Sequence, residues 1–137
     1  MAREVKEVEL YGGNNGGDKR RLTCASGVAI TKGTILKLTD ARTASASTGT
    51  GDVFAGIASM DKDSADTSTS ISAWENGIFE MVASGAITVG AKVKTASDGN
   101  YVMQCQTADV QSSYAIIVGT ALETASDGET INVRVNN

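Results

Sequence analysis

The sequence predicts an all-β protein, a small barrel or sandwich built from two similar half-units and preceded by an N-terminal arm. Three observations lead there. First, 15 glycines and no proline in 137 residues make a turn-rich chain, whose turns draw on glycine's access to positive φ. Second, no stretch sustains a helical apolar period, whereas Thr130-Ile-Asn-Val-Arg-Val135 alternates strictly and sets Ile131, Val133 and Val135 on one face of a strand. Third, the chain repeats itself. ASGVAITKGTILK, residues 25–37, returns as ASGAITVGAKVK, residues 83–94, once Val28 is skipped, and Phe54-Ala-Gly-Ile-Ala58 returns as Ile117-Val-Gly-Thr-Ala121. Two copies of roughly 60 residues are too few for a solenoid. Each is also too short to bury a comfortable core alone, so both are expected to share one domain, as half-units of about 22–82 and 83–137.

Taken in order, residues 1–21 read as an arm. Val5, Val8 and Leu10 are its apolar points, GGNNGG over 12–17 is a turning or flexible link, and Lys19-Arg20-Arg21 is a basic run. The domain proper is expected over 22–137. Residues 22–25 and 35–38 read as strands around the turn Thr31-Lys32-Gly33. Small, polar 43–51 reads as a loop, 53–58 as a buried strand and polar 60–69 as a second loop. Strands at 70–74 and 77–82 flank Glu75-Asn76-Gly77, an Asn-Gly turn signal, and strands at 92–95 and 100–104 flank Asp98-Gly99, a hairpin signal. Residues 107–113 could form one helical turn, and 114–122 reads as an apolar strand before the last one.

Composition narrows the function classes. Hydrophobic residues are 41% of the chain but aromatics only 4%, so the core must be mainly Val, Ile, Leu and Ala. A net charge of −4 disfavours nucleic acid, whose binders carry basic stripes. No apolar run approaches the ~18 residues of a membrane span, and the N-terminus lacks a signal peptide's apolar core. The expectation is a chain made in a cytoplasm with neither nucleic acid nor membrane as partner. Cys24 and Cys105 match no metal or redox spacing, and free buried thiols are favoured over a bridge.

The residue types also argue against an enzyme. There is no histidine, the usual general base and triad member, and neither cysteine has an evident activating neighbour in sequence. Asp61, Asp63 and Asp66 superficially suggest a calcium loop, but Asp66 and Ser72 stand where an EF-hand needs Gly and Glu. Residues 12–17 lack the Lys and hydroxyl that complete a phosphate loop. No metal and no cofactor is expected. Trp74, the sole tryptophan, reads as core or subunit contact rather than a sugar platform, since sugar sites usually combine several aromatics.

The run of segments FAGIA, ENGIFEM, GAITVGAKVKTASDGNYV, IVGTA and INVRVN resembles the phage capsid cement or head decoration family over residues 22–137. The resemblance implies a small β protein, often trimeric, that binds the outside of an expanded capsid and reinforces it. Its partner would be the major capsid protein, it would be a homotrimer, and it would reside on the virion exterior. The arm departs from the family pattern. Val5, Val8, Leu10, Tyr11, Lys19, Arg20 and Arg21 are its candidate capsid contacts, with residues 4–11 adding as a strand to a capsid edge, and Trp74 is the candidate oligomer contact. The competing readings are a carbohydrate- or receptor-binding β module of a phage head fibre or tail, with ligand contacts on 43–51 or 60–69, and a plain self-assembling structural subunit.

Overall fold

The sequence repeat is a repeat of structure, strand for strand. The computed structural model describes residues 5–10, 19–97, 100–107, 109 and 114–136. Its strands are β1 (Lys6–Glu9), β2 (Lys19–Thr23), β3 (Ile35–Asp40), β4 (Thr43–Ala46), β5 (Phe54–Ala58), β6 (Ser70–Trp74), β7 (Asn76–Ala83), β8 (Lys92–Thr95), β9 (Tyr101–Gln104), β10 (Ile117–Ala121) and β11 (Thr130–Asn136). Strands β2 to β6 close into a barrel in the order β2-β4-β3-β5-β6. Strands β7 to β11 close into a second, in the order β7-β11-β10-β8-β9, because β9 returns to β7; β1 adds to β7 from outside. The fold is all-β, two five-stranded barrels built from two similar halves.

The halves agree residue by residue. Each ring is closed by a parallel contact between its first and third strands, Thr23 with Thr43 and Val82 with Tyr101. With Ala58 set on Ala121, the antiparallel registers put Ala73 on Val133, Trp74 on Arg134, Lys19 on Ile78 and Arg21 on Glu80. Both halves also break their ladder at one place. Ala55 and Val118 are each an extra residue where β5 faces β3 and β10 faces β8, a β-bulge that bends the strand around a small barrel.

The glycine after each bulge has a steric reason. A Cβ on Gly56 would come within 2.9 Å of the Trp74 carbonyl oxygen and 3.0 Å of the Ala73 Cβ. On Gly119 it would overlap the carbonyl of Arg134 and approach the Val133 Cγ1 to 2.9 Å. The repeated "GxA" therefore marks the point where the fourth strand of each ring crosses closest to the fifth.

Leu22, Cys24, Ile30, Leu36, Ala44, Ala58, Ile71 and Ala73 fill the first barrel. The neighbours of three of them, Ile35, Ile57 and Trp74, point the other way. They join Phe79, Met81, Val93, Val102, Val118, Ile131 and Val133 in a second cluster that continues through the other barrel. Burying each such side chain contributes roughly 1.5–3 kcal/mol, so the seam joins the barrels through apolar packing. Polar contacts flank it. Ile35 N–H donates to Asn100 Oδ1 at 2.8 Å, Asp52 N–H donates to Thr95 Oγ1 at 3.0 Å, and Thr95 Oγ1 donates to the Gly49 carbonyl at 2.9 Å.

Several expectations are corrected. The described residues of the expected arm, 5–10 and 19–21, are not an appendage to the domain: β1 pairs with β7, Val5 enters the core, and Lys19 to Arg21 lie within the first barrel. The halves meet at Glu75, between β6 and β7, rather than at residue 82. Residues 75–77 make no hairpin turn, since β6 and β7 belong to different rings and Asn76 and Gly77 are already strand. Residues 43–46 form a strand despite their small polar side chains, because the Leu36 to Leu38 ladder supplies partners; tertiary pairing overrides intrinsic preference. Tyr114–Ile116 is a 3-10 turn before β10. Asp98 and Gly99, and most of 107–113, lie outside the described residues, although β8 and β9 pair as the hairpin reading expects.

Candidate docking surface

The arm candidates separate into buried and exposed sets. Val5 is only 4% exposed, with its N–H donating to the Gly33 carbonyl at 2.8 Å. It is an anchor for β1 and not a contact for another protein. Leu10 is half-buried against the seam cluster. Gly77 leaves room there, since a Cβ on it would lie 2.8 Å from the Glu9 carbonyl oxygen and 3.2 Å from the Leu10 Cδ2. Val8 is 54% exposed, and Tyr11 lies outside the described residues.

Trp74 is not on the surface either. It is 4% exposed, its ring 5.6 Å from that of Phe79 at 44° and 5.6 Å beneath the Lys32 ammonium. It stands where the second half has Arg134, so the residue expected to join subunits instead joins the two barrels of one chain. Lys32 pins the same corner, with Nζ 3.6 Å from Glu7 of β1. The seam thus draws on β1, β6 and the turn before β3 together.

Lys19, Arg20 and Arg21 are exposed along β2. On one side β2 pairs with β6 over its full length. On the other, Thr23 N–H donates to the Arg42 carbonyl at 2.6 Å and the Arg42 guanidinium reaches the Arg21 carbonyl at 3.4 Å. Arg20 stands 3.7 Å from Glu75. Four cations, Lys19, Arg20, Arg21 and Arg42, therefore gather on one rim of the first barrel, on a chain that is acidic overall.

The acidic loop of 60–69 is organised by its own carboxylates. Asp61 Oδ1 accepts from Lys32 N–H at 2.7 Å, Asp63 Oδ1 from Ala65 N–H at 2.9 Å, and Asp66 Oδ1 from Ser68 N–H at 2.8 Å. The Ser68 hydrogen bonds, chiefly that N–H, hold the Asp66 carboxyl below its ordinary value. These are turn-forming contacts. Among the described residues no three His, Cys, Asp or Glu side chains converge on a metal-sized site.

Sequence reasoning missed Lys62. It is 3% exposed, and its ammonium donates to the carbonyls of Ala25 and Val28 at 3.1 Å and of Asp66 at 3.2 Å. The bridge of Ile30 to Lys62 matches that of Ile87 to Ala125, so the second half has alanine at this place. Both thiols are free and buried. Burial, followed by the charge of Asp109, pushes the Cys105 thiol up against the opposing pull of Lys94 and Lys92.

Two carboxylates, Asp52 in the loop between β4 and β5 and Asp109 in the second half, are held below their ordinary values. Burial alone would raise Asp52, but Gly49 N–H, the Ser47 hydroxyl, Thr48 N–H and the charge of Lys37 outweigh it and hold the carboxyl below its ordinary value. Asp109 is lowered first by the Lys94 ammonium, 2.8 Å away, and then by Gln106 N–H.

The geometry defines a class: a double-barrel β protein with an added N-terminal strand and a cationic rim. No protein-family model and no curated protein matches the sequence. Among solved structures the chain is similar to the crystal structure of the N base of head fibre gp8.5 in bacteriophage phi29, with a TM-score of 0.55 and 15% identity, covering 87% of this chain and 95% of that one. The likeness is one of fold.

Proposed function

We propose that the chain is a structural component of a phage head that binds the outer surface of the expanded capsid and reinforces it. The observation that carries this reading is the fold shared, over most of both chains, with the base of a phage head fibre. The segment resemblance to the capsid cement family supports it independently. The partner is the major capsid protein, the protein works on the virion exterior, and its role is non-enzymatic. It acts as a homotrimer, because several modest contacts on one particle gain through effective concentration what each lacks alone.

Co-sedimentation with expanded and unexpanded shells, followed by heating of both, tests the proposal. Saturable binding to expanded shells with a raised disruption temperature is the expected result, and binding to neither form ends it. The likeness to a fibre base favours a second reading, in which the barrels anchor a head fibre. Saturable binding that leaves the disruption temperature unchanged selects that reading. A single-chain mass by light scattering, free and on shells, would exclude the trimer. The glycan-binding alternative loses its aromatic platform, because Trp74 lies inside the seam.

A further inference from the structure

The two barrels differ in one respect that their shared register makes visible. In the second, the first strand of the ring, β7, carries an additional strand: Lys6 of β1 lies opposite Glu80, Glu7 opposite Phe79 and Glu9 opposite Ile78. The equivalent positions on β2 are Arg21, Arg20 and Lys19. Among the described residues no strand lies against them on that side.

The backbone there faces outward in the right sense. Cys24 N–H points to β6, donating to the Thr69 carbonyl at 2.9 Å, while Thr23 N–H points away from β6 to Arg42. Successive strand residues alternate in direction, so Lys19 and Arg21, like Thr23, turn their N–H and C=O groups to the outer edge. Of the outward groups of Lys19 and Arg21, only the Arg21 carbonyl has a partner among the described residues, the Arg42 guanidinium at 3.4 Å. This is the edge geometry by which β7 receives β1.

We propose that the outer edge of β2 at residues 19–21 accepts an extended acidic segment of a partner protein, which adds there as a strand. The charge follows from the register. In the occupied copy Lys6 faces Glu80, whereas in the open copy the same place is Arg21, flanked by Lys19, Arg20 and Arg42, so the incoming strand carries carboxylates where β1 carries a cation. Main-chain hydrogen bonds supply attachment and the cations supply selection and steering. On the reading above the partner is a capsid protein, but the edge is testable without a shell.

The probe is a peptide with the sequence of residues 5–10 carrying Lys6→Glu, titrated into the full chain labelled for amide NMR, at up to roughly 5 mM, where even a ~1 mM Kd registers. The expected result is amide shifts centred on Lys19 and Arg21 with slowed exchange of those two N–H groups, weakening on added salt. The double variant Lys19→Glu, Arg21→Glu, checked for an unchanged thermal midpoint, should lose at least about tenfold in affinity. A peptide with Lys at every Glu should not bind. The proposal is overturned if Lys19 and Arg21 are unmoved at the highest concentration, in which case the cations guard the edge against strand pairing, or if the shifts centre on β7, which would mean displacement of β1. Because no shell is present, failure here leaves shell binding open, and failure to bind shells leaves this result standing.

Discussion

Substituting alanine for the two bulge glycines tests the duplicated architecture directly. In Gly56→Ala the new methyl would sit 2.9 Å from the Trp74 carbonyl oxygen and 3.0 Å from the Ala73 Cβ. Ordinary contact starts near 3.4 Å, so β5 and β6 must separate by several tenths of an ångström. In Gly119→Ala the methyl overlaps the Arg134 carbonyl, and β10 must move further from β11. Overpacking of this kind costs about 1–3 kcal/mol, and loosening about two ladder hydrogen bonds adds ~1 kcal/mol each. Each variant should thus lose about 3–5 kcal/mol, a large part of the roughly 5–15 kcal/mol that holds a domain folded. At about 3 °C per kcal/mol for a chain of this size, the thermal midpoint falls ~10–15 °C. Urea unfolding and thermal unfolding, each followed by circular dichroism, measure the two, with Gly90→Ala as the control. That residue has φ +86 but no atom within 4 Å of an added Cβ, so it should cost only about 1–2 kcal/mol of backbone strain. Losses below about 1 kcal/mol in both bulge variants would refute the close-approach reasoning, and a loss in one alone would refute the equivalence of the halves.

Lys62→Met keeps the buried stem but leaves three carbonyls without their charged donor, and should cost about 3–4 kcal/mol by urea titration; an unchanged midpoint would mean that the loops do not need the ammonium. Asp52 and Asp109 have folded-state values below their unfolded ones, so their contribution is present above the ordinary carboxylate value and is lost as pH falls through the depressed one. Thermal midpoints should therefore drop on acidification below about pH 4, and Asp52→Asn should flatten that drop. Both thiols should resist an aromatic disulfide reagent in the native chain and react fully in denaturant; fast labelling of Cys105 before unfolding would contradict its burial. Trp74 emission should be blue-shifted and poorly quenched by iodide until the chain unfolds.

Much of this architecture was legible in the letters, and what escaped has a common physical reason. Two matched blocks, ITxG and GxA, were enough to reveal the duplication, because the close crossing after each bulge admits only glycine and so preserves a letter. The alternation of Ile131, Val133 and Val135 gave the last strand. β4 was missed because Thr43 to Ala46 owe their conformation to the partners on β3 and not to their own side chains. Val5 and Lys19 to Arg21 misled for a similar reason. Val5 among charged neighbours looks like a solvated segment until β7 and Gly33 provide its pocket. Trp74 is buried, which its being the one tryptophan among few aromatics suggests without placing it. Only the register shows that it replaces Arg134 and so faces the other barrel. Lys62 could not be found at all, since two of its three carbonyl partners, Ala25 and Val28, are brought to it only by the fold, from more than 30 residues away.

The order in which partners become available along the chain has a consequence for synthesis. The first ring needs nothing beyond Trp74, so it can close while the second is still being made. Its outward face, Ile35, Ile57 and Trp74, then waits uncovered, as does β1, whose Lys6 has no strand to join until Glu80 has emerged. The nascent half therefore carries an adhesive face until the strands of the second half arrive to cover it, and β7, the first of them, also captures the N-terminal strand. A nascent chain of which only residues up to about 75–80 have left the ribosome would display the strands of the first ring with its seam bare.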